Sequence, residues 1–223
     1  MKDQTQLTRS PLRAGTMGVF AFAAAYLLPA TAIAVWQVNF EFMFYVVVMY
    51  VLAAVVGTVH YRVNFSTGLL WALAVWGLLH MAGGLMPVPE SWPIDGDIRV
   101  LYSLWIVPGF LKYDQVVHAY GFGVTAWACW QCLRSILATG LTTGLATGAE
   151  SEAREIKPSL GMVTLCGAAA LGFGALNEVV EFTAAMTMPN TNVGGYVNTG
   201  FDLVANLVGV IIACTMIRLT ARR

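Results

Sequence analysis

The chain has 223 residues, of which 58% are hydrophobic and 11% charged, and its mean hydropathy is +0.69. That composition excludes a soluble domain built on one core and points to a polytopic membrane protein. The formal net charge is zero, from 12 basic and 12 acidic residues, so no general attraction to nucleic acid is expected.

A membrane-crossing helix needs roughly 20 mostly apolar residues. The first stretch to qualify is 17–37. It follows a basic leader and carries Ala30, Ala32 and Ala34, a pattern that also fits a cleavable signal peptide. Because the apolar run continues through Trp36, an uncleaved first span is expected. Spans two and three follow at 42–59 and 68–85. Residues 86–112 hold Pro87, Pro89, Pro93 and Pro108, which break a straight span, and also Leu101-Tyr102-Ser103-Leu104-Trp105-Ile106. This connection is expected to be an interfacial or re-entrant segment, since aromatic side chains favour the headgroup level. Span four runs over 113–137. The loop 138–158, rich in Gly and Thr and then charged, reads as a hinge between two halves, and Gly140-x-x-x-Gly144-x-x-x-Gly148 has the spacing of close helix packing. Spans five and six are expected at 160–186 and 201–219.

Lysine and arginine set the orientation. If both ends share a side, that side holds Lys2, Arg9, Arg13, Arg62, Arg134, Arg154, Lys157, Arg218, Arg222 and Arg223, while the other holds only Arg99 and Lys112. The expected fold is therefore all-α: one transmembrane domain over 1–223, a bundle of six transmembrane helices with both termini cytoplasmic. Residues 1–16 form a cytoplasmic tail, 86–112 lie on the periplasmic side and 138–158 in the cytoplasm. The expected location is a bacterial inner membrane, with membrane lipids as neighbours.

Against this apolar background His80, Asp114, His118, Glu178, Glu181 and Asp202 stand out. A charge at membrane depth costs about 2.5–3.5 kcal/mol, so four carboxylates facing lipid would cost on the order of 10 kcal/mol. They are expected to face one another or water. The span directions put all six at the outer ends of spans three to six. Spacings of three and four place Asp114 with His118, Asn177 and Glu178 with Glu181, and Asp202 with Asn206 on common helix faces. Gly121, Gly123, Gly172, Gly174 and Gly209 are expected to let the backbones approach around them.

Two chemistries fit these residue types. His80, His118, Asp114 and Glu181 suit a divalent metal such as zinc, manganese or iron, which makes a hydroxide nucleophile from bound water. Alternatively, crowded carboxylates share protons, because like charges raise one another's pKa. The first serves an enzyme in which Asp114, Glu178, Glu181 and Asp202 do the chemistry, with Tyr113, Asn177 and Asn206 orienting them. The second serves an enzyme or a carrier. A purely structural role, as polar contacts between helices, is the alternative. His60, beside Tyr61 and Arg62, is expected at the cytoplasmic interface. Cys129-Trp130-Gln131-Cys132, Cys166 and Cys214 fall at one depth, where a thiolate metal site or plain packing are the alternatives.

His80-x-x-Gly83-Gly84, Leu101-Tyr102, Tyr113-Asp114-x-x-x-His118, Asn177-Glu178-x-x-Glu181 and Val197-Asn198-Thr199-Gly200-x-Asp202 resemble the YjdF-like bacterial inner-membrane family. More distantly, Asp114-x-x-x-His118 and Asp202-Leu-x-x-Asn206-x-x-Gly209 resemble VanZ-like membrane proteins. The first resemblance implies a six-span membrane protein, and the second an association with lipoglycopeptide resistance. The function expected is an outward-facing intramembrane His/Asp/Glu pocket doing metal- or proton-dependent chemistry on a lipid or envelope-linked substrate. The alternatives are a proton-coupled carrier of small solutes or ions, and an accessory subunit of a larger membrane complex.

Overall fold

The structure, a computed structural model, describes residues 14–144, 156–188 and 191–220. Six long helices carry it: α1 (Ala14–Trp36), α2 (Phe40–Val63), α3 (Thr67–Leu85), α4 (Tyr113–Gly144), α5 (Leu160–Thr187) and α6 (Tyr196–Thr220). Capping fixes several boundaries. Asn39, Ser66 and Ser159 accept hydrogen bonds from the third residue beyond them, Phe42, Leu69 and Met162 respectively, which satisfies amides that the first turn leaves free. Asn64 ends α2 in the left-handed region, where asparagine is tolerated. Residues 1–13 of the expected N-terminal tail and most of the expected 138–158 loop, with Gly148, lie outside the described residues, and 14–16 belong to α1. Where they are described, α4 runs past the expected end of span four to Gly144.

Five of the helices are long and apolar enough to cross a membrane: α1, α2, α3, α5 and α6. The protein is an all-α, multi-pass membrane protein. α4 is less apolar, and the reason is its place in the bundle. It packs against α3, α5 and α6, so its polar side chains Gln115, His118 and Gln131 are buried against protein, not lipid. Gln131 shows the use of such a group. Its Oε1 accepts from the Ser66 amide and its Nε2 donates to Ser66 Oγ, both at 2.8 Å, tying α4 to the turn between α2 and α3.

The connection between α3 and α4 was expected to be an interfacial or re-entrant segment. It forms a small cap with little helix: a 3₁₀ turn at Leu101–Ser103, strands β1 (Trp105–Val107) and β2 (Leu111–Lys112) paired antiparallel, and single bridges Pro87 to Val100 and Ile94 to Leu104. Four prolines deny the segment a helix, and β-type pairing satisfies its backbone instead. Tyr102 of the cap lies where a Cβ on Gly83 would be, so a side chain there would expel the ring.

The closest helix approach is between α4 and α6. A Cβ on Gly209 would overlap the Ala119 carbonyl oxygen, and one on Gly123 would stand 3.0 Å from the Gly209 carbonyl. Both glycines were expected to serve this purpose. Gly121 instead makes room for the Trp76 ring and Gly174 for the Asn206 amide, while Gly172 borders open space and brings nothing together. Outward faces of α5 and α6 carry Phe173, Phe182, Val204, Val208 and Ile211, all exposed and apolar, as a lipid-facing surface requires.

A candidate metal centre at the helix ends

Asp114 and His118 occupy the first two turns of α4, Asp202 and Asn206 the second and third of α6, and Glu178 and Glu181 the last three of α5. α5 runs opposite to its neighbours, so the three pairs meet at one end of the bundle. His118 is at the centre. Its Nε2 stands 3.6 Å from Asp114 Oδ1 and 3.8 Å from Glu181 Oε1; its Nδ1 stands 3.7 Å from Glu178 Oε1 and 3.1 Å from Asn206 Oδ1. Among the described residues, two sets have ligand atoms mutually within 4.8 Å: Asp114, His118 and Asp202, and His118, Glu178 and Glu181.

The surroundings are largely buried and incompletely satisfied. Asp202 and Asn206 are fully buried. Among the described residues, Asp202 Oδ1, Asn206 Nδ2 and both oxygens of Glu178 are buried without a hydrogen bond, although Asn177 and Thr199 lie near Glu178. An orphaned buried carboxylate oxygen is costly, so each marks a place where a proton or a cation belongs. Asn177 donates to Glu181 Oε1 at 2.8 Å. Tyr113 does not orient the carboxylates: its hydroxyl donates to the Leu79 carbonyl of α3 at 3.0 Å.

His80 lies outside both sets. Its Nδ1 is hydrogen-bonded to the Tyr102 hydroxyl, and its ring is boxed by Tyr45, Trp76 and Tyr102 with centroids 6.1, 5.8 and 5.6 Å away. It is still close enough to His118 for the two rings to feel each other's charge. Burial, and then the charges of Asp114 and Glu181, hold the Tyr102 phenol on the cap well above its ordinary pKa.

Several participants were not recognised from sequence. A hydrogen-bonded chain runs inward from the cap: Lys112 Nζ bonds Asp95 at 3.2 Å and also Asn198 Oδ1, and Asn198 Nδ2 donates to Asp202 Oδ2 at 2.6 Å. The i, i+4 spacing of Asn198 and Asp202 was the available signal, but α6 was expected to begin only at 201. Glu41, at the start of α2, interacts with Glu181 electrostatically while both its oxygens accept from the Asn192 amide at 3.0 Å. Nothing local in the sequence connects residues 41 and 192. His60, expected at the cytoplasmic interface, is 6% exposed and stacks on Phe65, and among the described residues neither ring nitrogen has a hydrogen-bond partner. All four cysteines are free, and Cys129, Cys166 and Cys214 pack with Trp130, Val163 and Ile217.

The family model described as "Predicted membrane protein (DUF2238)" matches residues 15–223. The chain belongs to that family. Searches of curated proteins and of solved structures gave no match. For this DUF2238 chain the matched region takes in every helix and the whole His/Asp/Glu cluster.

Proposed function

We propose that the cluster binds a divalent cation, zinc, manganese or iron, and that the protein is an enzyme using it on a lipid or lipid-linked envelope substrate. The observation that carries this reading is the set of distances around His118. Gaps of 3.6 and 3.8 Å from Nε2 to two carboxylate oxygens are too long for hydrogen bonds. They suit donors sharing a cation, since ligands bonded at about 2.0–2.2 Å in a tetrahedral shell stand roughly 3.4 Å apart. Asp114, His118 and Glu181 are then the first ligands. The bound cation supplies an activated water. His80, held by Tyr102, stands where it exchanges protons with the site. Exposed Val179 and Phe182 flank the acidic residues of α5, and Phe201 and Leu203 flank Asp202, so lipid lies beside the cluster and a lipid substrate reaches it laterally.

This reading goes with six spans, α4 being the central one, both termini in the cytoplasm and the cluster near the outer face of a bacterial inner membrane, all in one transmembrane domain. It also goes with a YjdF-like place within the family. Elemental analysis of the purified protein tests it: stoichiometric metal is expected, lost in His118→Ala. A metal-free protein that regains none on incubation with zinc, manganese or iron sinks the proposal.

A second reading, a proton-coupled carrier, is favoured by the chain from exposed Asp95 through Lys112 and Asn198 to buried Asp202, which joins the surface to the cluster. It predicts no metal and a pH-dependent uptake abolished by Glu181→Gln.

A further inference from the structure

The number of cations follows from charge and from the orphaned atoms, and rests on the cation reading above. Four carboxylates converge here from α4, α5 and α6. The lysine that reaches them, Lys112, is already engaged by Asp95 and Asn198. With a neutral imidazole and all four carboxylates ionised, one divalent cation leaves two negative charges uncompensated in a largely buried cluster, which is costly. Two divalent cations balance four carboxylates.

The unpartnered atoms point the same way, and independently. Asp202, fully buried with Oδ1 orphaned, belongs to the set with Asp114; Glu178, with both oxygens orphaned, belongs to the set with Glu181. A single cation between Asp114 and Glu181 at His118 Nε2 answers neither orphan. His118 Nε2 stands between the two arms, 3.6 Å from Asp114 and 3.8 Å from Glu181, while Nδ1 donates to Asn206 Oδ1 at 3.1 Å. We infer that the cluster is a two-cation centre, one divalent cation between the carboxylates of Asp114 and Asp202 and the other between those of Glu178 and Glu181, with His118 Nε2, which faces both Asp114 and Glu181, as the nitrogen ligand. Pairs of this kind, about 3.5–4 Å apart, clamp the attacking and leaving oxygens of a displacement at phosphorus or carbon. This favours a phosphoryl or acyl ester of a lipid as the substrate.

Manganese loading of the purified full-length protein tests the inference, read by metal-to-protein ratio and electron paramagnetic resonance. The expected result is two manganese ions per chain with an exchange-coupled spectrum. Asp202→Asn and Glu178→Gln should each lower the ratio from two to one and leave an isolated-ion spectrum. Both changes keep the side-chain shape, and either alone suffices if the other does not fold. One ion per wild-type chain overturns the two-cation centre and leaves the single-cation reading in place. No ion overturns both. Two ions with uncoupled spectra also overturn it, because the second then binds elsewhere.

Discussion

His118 is hemmed in by Asp114, Glu181, Glu178 and Asn206. Replacing Asn206 with Leu removes the Nδ1 contact that holds the ring, and the expected outcome is metal affinity weakened by about 10–100-fold, as for other groups that orient a ligand, with the fold retained by circular dichroism. Tyr102 offers a test that needs no metal. Its phenol is held above the ordinary value by burial, so the folded protein keeps it neutral while the unfolded chain ionises it near pH 10. A raised folded-state pKa contributes stability that is fully present below the unfolded value and lost as pH climbs beyond it. Tyr102→Phe should therefore leave the phenolate absorbance gained between about pH 9 and pH 11 unchanged, since this ring does not titrate there in the folded wild type. A drop of one tyrosine's amplitude would show an ordinary, accessible phenol.

At the scale of helices, α4 is the element on which the site depends, and its contacts predict what breaks it. Gly209→Leu drives a side chain into the Ala119 carbonyl of α4, and backbone cannot give way as a flexible side chain does. Overpacking of this kind costs about 1–3 kcal/mol, to be read as a lowered unfolding temperature in detergent together with loss of bound metal. Gln131→Leu, at the other end of α4, strands the Ser66 amide and should cost about 1–3 kcal/mol while leaving metal content unchanged. The contrast between the two separates damage to the site from damage to the bundle. Periodicity made the helices and their polar faces readable, because spacings of three and four residues act within one helix. It did not reveal the cap. Whether Leu101–Ile106 enters the membrane or folds over the helix ends depends on Gly83 leaving room for Tyr102 and on Lys112 finding Asn198, two contacts that no local pattern contains.

For the molecule as a whole, the testable consequence is topological. If α4 crosses the membrane along with the five more apolar helices, reporters fused to the two ends should register the same compartment; opposite compartments would mean that one helix lies outside the bilayer. Hydropathy alone makes α4 the weakest span, since a helix surrounded by protein is free to carry His118 and Gln131 where a lipid-facing one is not. Composition and pattern by themselves determined that this is a membrane-embedded helical protein, and that Asp114, His118, Glu178, Glu181, Asp202 and Asn206 belong together, because the penalty for exposing charge to lipid admits few other arrangements. Only the tertiary structure decided which of them touch: His80 is drawn aside by Tyr102, Tyr113 is spent on the Leu79 carbonyl, and Glu41 joins from a segment far away in the chain. Burial energy depends on how many groups leave water or lipid, which residue types reveal, whereas coordination and hydrogen bonding depend on positions to within an ångström, which the packing of α4 against α5 and α6 sets.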